Sequence, residues 1–168
     1  MGDKAETVLF WVFALPLILS AAGVIVARNP VHAAMSLVAA FFCLAGIYVL
    51  LTAHLIAFLQ IIVYAGAIMV LFLFVIMLLS LSDEELGVDR MSAMKWAGLA
   101  GGAALLFLVV QAIAESGGAG WQRVGADYGT VRAVGRILYT QYLLPFEATS
   151  VLLLVAIVGA VVVSKKRI

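Results

Sequence analysis

The stretch QIIVYAGAIMVLFLFVIMLLSL, Gln60 to Leu81, holds one glutamine, one tyrosine and one glycine and no charged residue. A run this long and this apolar is a candidate transmembrane helix. Extended upstream to Leu55 it covers about 27 residues, which at 1.5 Å each spans roughly 40 Å against a hydrocarbon core of ~30 Å. Strong tilt, protrusion at one end or a π-bulge would absorb the excess. Gly66, between Ala65 and Ala67, is where an irregular backbone costs least in side-chain clashes. Gln60 and Tyr64 are four apart and so share one face of a helix, and beyond them the run is dry. A polar stripe that ends against a dry section can hold water on one side and exclude it on the other, as hydrophobic gates do. The plainer alternative is that Gln60 and Tyr64 hydrogen-bond to neighbouring helices, and the residues alone leave both open.

The rest of the chain agrees with a membrane setting. Of 168 residues, 66% are hydrophobic and 11% charged, against roughly 45–50% apolar in a soluble domain, and the mean hydropathy is +1.22. A net charge of +1 gives no footprint for nucleic acid or an acidic partner. The single cysteine, Cys43, lies in an apolar run; it excludes an internal disulfide and reads as a small buried hydrophobe rather than a redox-sensitive thiol.

Hydropathy marks about five segments of the length a membrane helix needs: Val8–Ala27, Ala33–Thr52, Leu55–Leu81, Met94–Ala114 and Leu143–Val163. The fold expected is an all-α integral membrane protein, a single membrane domain over residues 1–168, since each lipid-facing segment must satisfy its own backbone hydrogen bonds. The first segment is too long for a signal-peptide core and is flanked by Asp3 and Glu6, so it is expected to remain. Arg28, Arg90, Lys95, Lys165, Lys166 and Arg167 fall on one side, and Lys4, Arg123, Arg132 and Arg136 on the other. The positive-inside rule then places the N-terminus outside and the C-terminus in the cytoplasm. In the longest connection, residues 115–142, Val131, Val134 and Leu138 share one helical face and Arg132 and Arg136 another, the pattern of a short interfacial helix.

No phosphate-binding loop, CxxC or HExxH spacing occurs, so no metal, cofactor or catalytic residue is expected in this chain. His32 and His54 stand at the mouths of the second and third spans and read as interfacial. Glu147, in LLPFEATS, is the one acid at a membrane edge; with Pro145 opening the fifth span it would lie in the first turn, where the helix dipole favours a carboxylate. That capping role is weighed against a proton-carrying one. Gly98 and Gly102 form a GxxxG spacing that close helix packing explains.

The motif VYAGAIMVLFLFVIMLLSL resembles the third helix of the J subunit of proton-translocating NADH:quinone oxidoreductase, respiratory complex I, the counterpart of the sixth mitochondrially encoded subunit. RNPVHAAMSLV and LYTQYLLPFEATSVLLLVAIVGAVVV are similar to the same family, in the same order. The resemblance implies a non-redox membrane-arm subunit of a translocase, in the bacterial inner membrane, packed among the A, H, K and N subunits and lipid. NADH, FMN, iron-sulfur clusters and quinone would all belong to partner subunits. It further implies a π-bulge at Tyr64, Gly66 and Ala67 whose change of register opens and closes a water path. Gln60 and Tyr64 would be the wet end, Gly66 with Ala65 and Ala67 the pivot, and Val70, Leu71 and Phe72 the dry plug. His54 stands where the family is often acidic, which puts a charge contact there in doubt. The alternatives are the equivalent subunit of a membrane-bound hydrogenase, another-donor oxidoreductase or a multi-subunit cation/proton antiporter. A free-standing channel would need charged residues inside the spans, which are missing.

Overall fold

The structure, a computed structural model, describes residues 2–79, 92–115, 125 and 127–165. Its elements are α1 (Gly2–Val26), α2 (Pro30–Leu50), α3 (His54–Leu59), a π-helix (Gln60–Ile68), α4 (Met69–Leu78), α5 (Ser92–Glu115), α6 (Val131–Thr140) and α7 (Leu143–Ser164). Among the described residues four helices are long and apolar enough to cross a membrane: Lys4–Val26, Pro30–Leu50, His54–Leu78 and Leu143–Ser164. The expected segment Met94–Ala114 falls on α5, whose apolar part runs from Ala100 to Glu115. The expected end of the third span at Leu81, Arg90 and the tail residues Lys166 and Arg167 lie outside the described residues.

Two compact units divide the chain. The first comprises Met1–Leu73 and Ala126–Ile168. Within it α2 is the central element, packing on α1 and on α3 with its π continuation, while α6 packs on α3 and α7. α2 starts three residues before hydropathy alone suggests, because Asn29 is its cap: the Asn29 Oδ1 accepts from the Val31 N–H at 2.9 Å and Pro30 takes the first helical position. The buried apolar residues are Ala14, Ala34, Ala40, Ala45, Ala57, Ala65 and Met69, nearly all alanine. Small residues let helix backbones approach closely, the packing mode of membrane helices, where lipid already satisfies the large side chains. Gly46 shows how close: a Cβ there would lie 2.6 Å from the Phe13 ring.

The second unit is Phe74–Gly125, holding the end of α4 and all of α5. In α5 a Cβ added at Gly98, Gly101 or Gly102 would meet nothing within 4 Å. The GxxxG face is thus open among the described residues.

Candidate functional site

The third span runs His54–Leu78 and changes helix type inside it. From Gln60 to Ile68 the backbone is π-helical, a nine-residue segment rather than a single-turn bulge. At its end the Met69 N–H reaches the Tyr64 carbonyl, five residues back, and the Gly66 carbonyl. The buried stripe of the span records this change. Ala57 (3% exposed), Gln60 (6%), Ala65 (7%) and Met69 (3%) are its buried residues, and the step from Gln60 to Ala65 is five where an α-helix would step three or four.

Gln60 and Tyr64 differ in burial. Gln60 is buried, and no hydrogen bond of its amide forms among the described residues, whereas Tyr64 is 48% exposed and sets its ring edge-on to Phe41 at 5.8 Å. Ile68, four residues further, is also 48% exposed. Gly66 suits the π geometry because a Cβ there would stand 3.3 Å from the Ile61 carbonyl oxygen, five residues back. Ala67, Val70, Leu71 and Phe72 are exposed in the isolated chain.

Sequence reasoning missed how the upper end of this span is held. α2 ends in a Schellman motif: the Ala53 N–H donates to the Tyr48 carbonyl at 2.9 Å and the Thr52 N–H to Val49 at 3.0 Å. The left-handed position is taken by Thr52, with φ 58°, a rare place for a β-branched residue. The next helix begins at once, without a side-chain cap on Ala53. Its Leu55 N–H instead donates to the carbonyl of Gly129 at 3.0 Å. A glycine before an amphipathic helix was the one available signal, and it did not say where the turn would dock.

The remaining candidates are scattered. α7 begins at Leu143, so Pro145 is its third residue and Glu147 its fifth, and no acid lies in its first turn. The capping role expected for Glu147 loses its geometric basis, because the helix starts before the proline. Glu147 is exposed, and its backbone carbonyl accepts from the Ser150 hydroxyl at 2.7 Å. His32 and His54 are exposed on the first turns of α2 and α3, Cys43 is a half-buried free thiol, and no metal-binding group of three ligands occurs among the described residues.

Residues 20–163 match the family profile described as NADH-ubiquinone/plastoquinone oxidoreductase chain 6. NADH-quinone oxidoreductase subunit 10 of Thermus thermophilus is 42% identical, the match covering 86% of this chain and 81% of that one. NADH-quinone oxidoreductase subunit J of Escherichia coli is 37% identical over 94% and 86% respectively. F(420)H(2) dehydrogenase subunit J of Methanosarcina mazei is 32% identical over 98% and 94%. With the family profile spanning most of its length and these relatives matched nearly end to end, the chain belongs to the chain 6 family of NADH-quinone oxidoreductases, the J subunits of complex I.

Proposed function

We propose that this chain helps couple quinone reduction to proton translocation in the membrane arm, through a change of register in its third span. The observation that carries the reading is the five-residue step in the buried stripe, from Gln60 to Ala65. If Gln60–Ile68 became regular α-helix, Tyr64 and Ile68 would take the buried positions of Ala65 and Met69, a rotation of roughly 100°. Two packings of one sequence that differ by a few kcal/mol are what a switch requires. In this reading Gln60 and Tyr64 form the wet end, Gly66 the pivot between Ala65 and Ala67, and Val70, Leu71 and Phe72 the dry plug.

The chain carries no redox group in this proposal; NADH, FMN, iron-sulfur clusters and quinone are held by partner subunits. Its neighbours would be the A, H, K and N subunits, with the N-terminus outside the bacterial inner membrane and the C-terminus in the cytoplasm. A second reading draws on the F(420)H(2) dehydrogenase relative: the same coupling role, fed by another electron donor. Genes for NADH- and flavin-binding subunits beside this one separate the two.

The test is Gly66→Val in the intact, reconstituted complex. Valine crowds the Ile61 carbonyl that the π form brings close, and so disfavours that form. Coupled turnover and proton translocation should fall, while electron transfer from NADH to an artificial acceptor persists. Tyr64→Phe keeps the ring against Phe41, loses one hydroxyl, and should show a milder loss confined to coupling. Full assembly with wild-type pumping in both variants would return Gly66 to a packing role.

A further inference from the structure

We propose that the turn Asp127–Thr130, through Gly129, is a fixed anchor for the N-terminal end of the third span, and that a register change in the π segment is therefore taken up on its Met69 side. The inference rests on the register change proposed above and adds a positioning residue from a distant part of the chain. The first N–H groups of any helix lack partners within it. Here Ala53 supplies no side-chain cap, and the Leu55 N–H is satisfied by the Gly129 carbonyl instead.

The contact is too close for any other residue in the present geometry. A Cβ on Gly129 would overlap the Thr52 carbonyl oxygen and lie 2.7 Å from the Ala53 Cα, both backbone atoms with no freedom to move aside alone. Gly129 is buried there. The turn that carries it is itself tied down. The Thr130 hydroxyl donates to the Asp127 carbonyl at 2.8 Å and accepts from the Ala133 N–H at 3.3 Å, capping α6. Tyr139 of α6 stacks edge-on with Phe146 of α7 at 5.2 Å, so the anchor is continuous with a second membrane span. On its other side the span's first turn follows the Schellman motif directly, with Thr52 already in the left-handed region.

Rotating the His54 end would break the Leu55 bond, drive Gly129 into Thr52 and unwind that motif together. Past Met69, by contrast, Val70 and Leu71 are exposed. Among the described residues no other element packs on α4, so within this chain the change is taken up there.

The test bridges the anchor covalently in the intact complex. Ile56 and Tyr128 line one cavity of about 280 Å³ between α3 and the turn. Ile56→Cys with Tyr128→Cys, on a Cys43→Ala background, is joined by a short bifunctional thiol reagent. Bridging should leave coupled turnover at the level of the unbridged double variant, because this end does not move. Gly129→Val, with the turn pushed off, should lower protons translocated per electron while electron input from NADH persists. Loss of turnover on bridging, restored by reductive cleavage of the linker, would overturn the proposal by showing that the anchored end moves. So would normal proton translocation in assembled Gly129→Val. If Gly129→Val does not assemble, the bridged variant still decides. The register reading fails separately, through Gly66→Val and Tyr64→Phe, whatever the bridge does.

Discussion

Thr52 is the residue whose conformation its own chemistry least favours. A β-branched side chain in the left-handed region costs roughly 1–2 kcal/mol, and the Schellman motif together with the docking of Gly129 holds it there. Glycine at this position keeps the carbonyl that Gly129 abuts and removes the penalty, at some cost in unfolded-chain entropy. Thr52→Gly should therefore stabilise the subunit by up to about 1 kcal/mol, read as a higher temperature for its thermal release from the purified complex. A lower temperature would mean that the Thr52 hydroxyl, which donates to the Leu51 carbonyl at 2.7 Å, matters more than the backbone. Glu147 is the opposite case. Exposed and past the first turn of α7, it has no dipole to cap. Glu147→Gln should leave thermal release unchanged, so any loss of pumping in that variant reports a partner's contact or a proton path rather than helix stability.

At the scale of the element, the third span behaves as an α-helix with one residue inserted, and this has a sharp consequence. Removing Ile62, which is exposed within the π segment, would set Gln60 and Ala65 four apart and leave Ala65 and Met69 four apart, the spacing of a regular helix. Residues on both sides would keep their faces. Deletion of Ile62 should thus permit assembly on a native gel while locking the span and abolishing coupled pumping. Deletion of Phe42, as exposed but within regular α2, turns everything after it by roughly 100° and should prevent assembly. If the two deletions assemble equally poorly, the inserted-residue description is wrong. The span's excess length and the Ala65-Gly66-Ala67 trio were legible in the sequence, because hydropathy counts residues and glycine marks irregular backbone. The five-residue step from Gln60 to Ala65 was not, since reading faces from sequence presumes the regular period that this helix breaks. The Gly129 anchor escaped for another reason: it is a main-chain contact between two turns far apart in the chain, and neither hydropathy nor side-chain chemistry encodes where a backbone carbonyl will dock.

For the molecule as a whole, the anchor also constrains how often the chain crosses the membrane. The turn at Gly129 meets the start of the third span at Leu55, so both lie on one side. In the proposed topology the third span leaves that side and the chain returns to it ahead of Gly129. The helix available among the described residues is α5, Ser92–Glu115, and with it the chain would make five crossings and put its termini on opposite sides. The basic residues then choose the orientation: Arg28 and the tail Lys165–Arg167 fall on one side, Arg132 and Arg136 of the amphipathic α6 on the other. In the proposed orientation the side with more basic residues, which includes the tail, faces the cytoplasm. A reporter fused after Ile168 should therefore be active only in the cytoplasm, and one inserted in the loop ahead of Ala126 only outside. If both reporters fall on one side, α7 does not cross; if both invert, either α5 does not cross or α6 faces the cytoplasm and the orientation is the reverse of the one proposed.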